Sequence, residues 1–236
     1  ERNASTGALT YGGMLKDGVG GVDGLDSARG VTLSADGNHA YVTGANDDAV
    51  SWYERNASTG ALTYGGMLKD GVGGVDGLNG ARNVTLSADG NHAYVTGYND
   101  DAVSWYERNA STGALTYGGM LKDEVGGVDG LYTAIDIALS TDGKHAYVAA
   151  NWGDAVSWFE TNATEGGLTY VDMLYKQGPG YGTMSADGKH LYLTGFDDDE
   201  LSWFDRNAST GALTYGGTLK DGVGGVDGLG NSYDVT

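Results

Sequence analysis

Arg29 and Arg82 hold the same place in two successive copies of a long repeat, where the third copy has Ile135. The next position reads Gly30, Asn83 and Asp136, and Tyr233 and Asp234 continue the two series near the C-terminus. Other sites also differ among copies that are otherwise nearly identical: Asp26, Asn79, Tyr132 and Gly230 upstream, and Ala45, Tyr98, Asn151 and Phe196 on an acidic loop, with Trp152 standing alone. Guanidinium, carboxylate and aromatic groups beside a concavity can hold a small polar ligand. The ligand-binding candidates are therefore Arg29, Arg82, Tyr98, Tyr132, Asp136, Trp152 and Phe196. Drift at exposed positions after duplication is the competing reading. No catalytic residue is assigned.

A second chemistry is suggested by the acidic loops that end in Asp48, Asp101, Asp154 and Asp199 and by the Gly-rich segment Lys69–Gly77 with its copies. Carboxylates and flexible backbone carbonyls are the ligands hard cations take, so these four aspartates are metal candidates, with calcium the fitting ion. Their spacing lacks the pattern of an EF-hand loop, and an aspartate before a strand also satisfies backbone donors in a turn. No cofactor is required by any motif. The Gly-rich segment has no following Lys-Ser/Thr and opens no helix, so it is not a phosphate cradle. His39, His92, His145 and His190 share one repeat position after a turn and read as structural.

These residues must be positioned by the repeat. Glu1–Leu25 recurs unchanged at Glu54–Leu78, with one substitution at Glu107–Leu131 and two at Asp205–Leu229; a diverged copy spans Glu160–Lys176. The step is 53 residues three times and 45 once, the short step losing part of the Gly-rich loop. In the unit Ala81–Asp123, Asn83–Ser87 alternates in the period of a strand, and Asp89-Gly90 marks a hairpin. His92–Gly97, Ala102–Glu107 and Ala114–Leu121 follow as three more strands between turns. No stretch keeps a helical period. Four antiparallel strands per repeat of this length make a propeller blade, whose two faces must be covered by neighbouring blades. Trp52, Trp105, Trp158 and Trp203, and Tyr41, Tyr94, Tyr147 and Tyr192, are then packing between blades.

The expected fold is one all-β domain over 1–236, a β-propeller of four-stranded antiparallel blades. Full blades run over about 28–70, 81–123, 134–176 and 180–220, and 1–16 with 231–236 form part of another. Four steps of 53 and one of 45 close a five-bladed ring that lacks 21 residues, matching Leu33–Tyr53. The alternative is a piece of a larger, seven-bladed ring.

Composition bounds the partners. The 13 basic residues against 32 acidic ones give a formal charge of −19, which excludes nucleic acid, since phosphate contacts need clustered Lys and Arg. No apolar run reaches the ~18 residues of a membrane span. Cysteine is absent, so neither disulfides nor thiolate metal sites form. Protein or glycan partners remain, together with strand exchange or self-association through the incomplete blade. An acidic, cysteine-free repeat chain suits a prokaryotic cell surface or the extracellular medium.

The pattern Ser87-Ala88-Asp89-Gly90, Tyr94-Val95-Thr96-Gly97, Asp101-Ala102-Val103-Ser104-Trp105 and Thr112-Gly113-Ala114-Leu115 resembles the YVTN and lactonase-like propeller repeats along essentially the whole chain. It departs from them in having Ser-Ala-Asp-Gly where Ser-Pro-Asp-Gly is usual. The resemblance implies seven-bladed relatives and, in the enzymes among them, opening of a sugar-acid lactone. Arg29, Arg82, Asp136 and His145 supply the residue types that such a reaction needs, a cation for the oxyanion and a group to activate water. No enzyme motif maps onto them residue by residue, and near-identical blades weigh against groups converging from different directions. The expectation from sequence is thus a non-catalytic binding or scaffold propeller, a module of a bacterial surface or secreted protein, or a recently amplified or engineered repeat without an evolved ligand. A lactonase-like hydrolase is the alternative.

Overall fold

The computed structural model describes residues 5–195, 198–230, 232 and 234–235, and none of these is helical. Among the described residues, sixteen strands form four separate antiparallel sheets, each built from consecutive strands. The first blade holds β1 (Ala28–Leu33), β2 (His39–Gly44), β3 (Ala49–Arg55) and β4 (Leu62–Lys69), and the second β5 (Ala81–Leu86), β6 (His92–Gly97), β7 (Ala102–Arg108) and β8 (Leu115–Lys122). The third holds β9 (Ala134–Leu139), β10 (His145–Ala150), β11 (Ala155–Thr161) and β12 (Leu168–Tyr175). The fourth holds β13 (Pro179–Met184), β14 (His190–Gly195), β15 (Glu200–Arg206) and β16 (Leu213–Lys220). The innermost strands β1, β5, β9 and β13 stand side by side around a channel. Within 5–16, only Leu9 makes a strand bridge.

A Trp-on-glycine device fixes the outer edge of three of the four blades. Trp52 pairs with Gly66 while Tyr53 pairs with Tyr64, so Gly65 is the extra residue of a β-bulge. The indole lies against both glycines: a Cβ on Gly65 would come within 2.7 Å of Trp52 Cδ1. Gly66 has φ of +151°, open to glycine and strained for other residues. The second and fourth blades repeat this with Trp105 over Gly118-Gly119 and Trp203 over Gly216-Gly217.

Between blades, an apolar layer forms from the trailing face of one sheet and the leading face of the next. Tyr41, Val50, Trp52 and Leu68 of the first blade meet Val84, Val95, Tyr106 and Leu115 of the second, and Val75 and Leu78 from the connecting loop complete the layer. The second interface repeats the set with Tyr94, Val103 and Trp105 against Ile137, Val148, Phe159 and Leu168. At the third, the connection is shortened to Lys176–Gly178, so the valine and leucine of that loop are missing. A cavity of about 630 Å³ lies there, lined by Leu174, Phe204, Leu213 and Tyr215 and bordered by the Lys176–Glu200 ion pair at 2.6 Å.

Polar latches cross the same interfaces. Arg108, from the end of β7, donates through Nε to the hydroxyl of Tyr41, and its Nη2 lies 3.0 Å from His39 Nδ1 in the preceding blade. Tyr41 passes the chain on by donating to the Gly113 carbonyl at 3.0 Å. The set recurs with Arg206, His145, Tyr147 and Gly211, and there Asp142 also accepts from Arg206 at 2.9 Å. Burial, followed by the neighbouring guanidinium, pushes the His39 and His145 pKa below the ordinary value, so both rings stay neutral and accept the hydrogen bond. The second interface has Thr161 in place of the arginine.

Candidate functional site

The innermost strands approach closely enough to bring unlike residues from successive repeats together. A Cβ on Gly30 would come within 2.8 Å of the Arg82 carbonyl oxygen in the next blade, so glycine at this position lets β1 lie against β5. Thr43 ties the pair by donating to the Arg82 carbonyl at 2.8 Å while accepting from Gly30 N–H at 2.9 Å. The result is a channel of about 710 Å³ lined by Arg29, Gly30, Asn83, Asp136, Tyr181 and Asp234 among others.

Gly30, Asn83, Asp136, Tyr181 and Asp234 occupy one repeat position, counted back from the Ser-x-Asp-Gly turns where those are present. Five different groups thus converge from successive repeats. The sequence reading included four of them and missed Tyr181. Its place was displaced by the 45-residue step, and alignment of Ser185-Ala186-Asp187-Gly188 with Ser140-Thr141-Asp142-Gly143 would have recovered it.

Asp136 is the central group, 4% exposed. Its Oδ2 accepts from the Gly182 N–H at 2.6 Å, and its Oδ1 accepts from Asn83 Nδ2. Burial raises the carboxyl pKa to about 6, with the nearby Asp234 adding to the shift and the donors from Gly182, Asn83 and Ile137 opposing it. Burial followed by the Asp136 charge also raises the Tyr181 phenol, while Arg82 and Arg29 act in the other direction. The site therefore holds a buried carboxyl with its pKa raised to about 6 in a channel that Arg29 also lines.

Arg82 Nε is buried and has no hydrogen-bond partner among the described residues. Its guanidinium carbon sits 4.2 Å from the centre of the Tyr98 ring, which in turn meets Trp152 edge-on at 6.3 Å. Arg82, Tyr98 and Trp152 thus form a connected group. Trp152 and Tyr132 are exposed, at 65% and 47%. Phe196 lies outside the described residues.

The metal candidates sit in tight turns. Asp48, Asp101, Asp154 and Asp199 all have φ near +50°, a left-handed turn conformation that aspartate tolerates better than most residues. Asp48 Oδ1 accepts from Gly80 N–H at 2.8 Å, Asp101 Oδ1 from Thr133 N–H at 2.7 Å and Asp154 Oδ1 from Gly178 N–H at 2.7 Å. Each clamps the start of the next blade. Carboxylates gather instead one residue upstream, as Asp17, Asp23 and Asp47 and as Asp70, Asp76 and Asp100, with ligand oxygens within 4.8 Å of one another. Burial raises the Asp100 pKa, and repulsion from Asp70 and Asp76 adds to this. Gly153 stands where a third triad would need its last aspartate.

Four-stranded blades set side by side around a channel of dissimilar polar groups define an arc of a β-propeller. Residues 74–221 match the family described as "Lactonase, 7-bladed beta-propeller", and the chain belongs to that family. Its larger ring agrees with the seven-bladed alternative. No curated protein sequence matches the chain significantly. Among solved structures, a putative 6-phosphogluconolactonase from Bacteroides uniformis aligns with a TM-score of 0.66 at 22% identity over 80% of this chain and 53% of that one. Another, from Bacteroides fragilis, gives 0.68 at 23% over 82% and 55%. The periplasmic gluconolactonase of Pseudomonas aeruginosa gives 0.70 at 20% over 82% and 54%. The chain spans about half the length of these proteins.

Family membership corrects the expectation of a non-catalytic scaffold, or of an amplified repeat without a ligand, and points to a hydrolase. Near-identical blades do not weigh against converging unlike groups here, because the channel-facing position is one where the copies differ.

Proposed function

We propose that this chain supplies the channel of a lactonase-like hydrolase that opens a sugar-acid lactone. The observation that carries the reading is Asp136: a buried carboxyl with its pKa raised to about 6, held by Asn83 and Gly182 in a channel that Arg29 also lines. In its ionised form Asp136 takes a proton from a water whose oxygen adds to the lactone carbonyl. Arg29, which lines the same channel, supplies a charged donor for the oxyanion that develops. Collapse of that intermediate breaks the ring C–O bond, and the proton held by Asp136 passes to the departing alkoxide, giving the hydroxy acid. Donors on both Asp136 oxygens keep the carboxylate oriented for this transfer.

The test is acid release from glucono-1,5-lactone at constant pH, measured above the spontaneous rate. Asp136→Asn should lower kcat by at least ~100-fold, the usual contribution of a positioned base. Arg29→Ala should abolish most of the remaining turnover. A wild-type rate equal to the spontaneous one, or an Asp136→Asn variant with full activity, would overturn the assignment.

A further inference from the structure

The connection into the fourth blade runs only over 176–178, against 70–80 and 123–133 for the two before it. The residues beneath the longer connections are changed where the short one leaves them open. In the third blade the incoming loop lies on three side chains: a Cβ built on Gly130 would come within 2.6–3.3 Å of Ser157, Ala155 and Met173. Gly77 lies on Ser104 and Met120 of the second blade in the same way. The fourth blade has Ser202, Glu200 and Thr218 at these positions, so a carboxylate replaces the alanine and a hydroxyl the methionine. At the head of the connection, Asp70 and Asp123 accept the N–H groups of Leu78 and Leu131 at 3.0 and 2.8 Å, and Lys176 stands in their place.

The space left is the cavity of about 630 Å³ between the third and fourth blades, within the ~300–1,000 Å³ usual for small-ligand sites. Its polar wall is one connected set. Lys176 Nζ pairs with Glu200 Oε1 at 2.6 Å and donates to the Gln177 carbonyl at 2.7 Å. Ser202 Oγ donates to the same Glu200 oxygen at 3.3 Å and lies 2.9 Å from Thr218 Oγ1. Both donors reach Oε1, so among the described residues Glu200 Oε2 accepts nothing and one of the three Lys176 N–H donors is unused. The remaining wall is aromatic. Tyr215 is 58% exposed, whereas its counterparts Tyr64, Tyr117 and Tyr170 are partly buried, and Tyr175 beside the cavity is 70% exposed.

We infer that this cavity binds a neutral sugar ring. A ring rimmed with hydroxyls both donates and accepts, which suits the open carboxylate oxygen, the spare ammonium N–H and the Ser202–Thr218 pair. Its apolar C–H face suits a tyrosine ring, which is itself apolar in the body and polar at the tip. Charge sets the class of sugar: Lys176 and Lys220 balance Glu200 and Asp198 around the cavity, so it favours neither an anion nor a cation. The inference is independent of the hydrolase reading, because the cavity and the channel share no lining residue.

The test applies the full chain to an array of neutral and acidic glycans and titrates it calorimetrically with free glucose, galactose and mannose. At least one neutral sugar should bind, one per chain; binding on the array alone would identify the end of a glycan, and binding of a free sugar a soluble saccharide. Thr218→Met restores the residue of the other blades and fills the cavity, so it should abolish binding while leaving Tm and lactone turnover unchanged. Tyr215→Ala should weaken binding by about ten-fold, the effect of losing one aromatic anchor. Binding to no glycan on the array and to no free sugar up to ~1 mM, the weak end of specific recognition, would overturn the proposal. So would binding confined to acidic glycans, or binding that Thr218→Met and Tyr215→Ala both leave intact. Loss of binding in Trp152→Ala with wild-type binding in Thr218→Met would place the sugar on that exposed tryptophan and equally overturn it.

Discussion

Replacing Arg206 by alanine removes an entire inter-blade latch. The guanidinium donates to the Tyr147 hydroxyl at 2.8 Å, the Gly188 carbonyl at 3.1 Å and Asp142 at 2.9 and 3.0 Å, with His145 Nδ1 at 2.8 Å. Burial raises the Asp142 pKa, but hydrogen bonds from Ser140 and Arg206 outweigh it and hold the carboxyl at about 2. After truncation Asp142 regains water, since its side chain is 32% exposed, whereas His145 Nδ1 loses a buried donor. Tyr147 still donates to Gly211. Breaking a fully buried pair costs about 3–5 kcal/mol, and the accessible carboxylate places this case near ~3 kcal/mol. For a chain of this size that lowers Tm by about 6–12 °C. Calorimetry is the suitable assay, since a blade array can unfold in more than one step. The reciprocal change is Thr161→Arg, which would bring a guanidinium to His92 and Tyr94 and should raise Tm by a few degrees. A Tm for Arg206→Ala within ~1 °C of wild type, the range of a neutral surface change, would show that the latch does not stabilise the interface.

Three other outcomes follow from the same geometry. His39 and His145 have folded-state pKa values below 6.5, so the stability they contribute is present above pH ~6.5 and lost as pH falls toward those lower values; urea midpoints at pH 7.5 and 5 should show the decline. Gly65→Ala drives a Cβ to within 2.7 Å of Trp52 and should cost about 1–3 kcal/mol in urea unfolding, whereas Gly12→Ala at the same repeat position should change it by less than ~0.5 kcal/mol. Lactone turnover should rise with pH through about 6 as Asp136 loses its proton, and a rate flat between pH 5 and 7 would remove Asp136 from the base role.

The sequence alone determined the blade. Alternating runs, Asp-Gly hairpins and the recurring Tyr and Trp positions specify four strands and the faces they bury, because strand period and turn chemistry act over a few residues. Asp48 and its copies were legible as turn residues, although their acceptance of N–H groups from the next blade was not. Only the tertiary structure decided that Arg82 lies over Tyr98 beside Trp152, that Asp100 rather than Asp101 joins Asp70 and Asp76, and that Tyr181 belongs in the channel. Those contacts join residues tens of positions apart, and their geometry depends on how each blade stacks on the next. Asp136 shows the division most clearly. Its identity as an exception among copies is written in the chain, but its burial, and with it the raised pKa, arises only when β5, β9 and β13 come together.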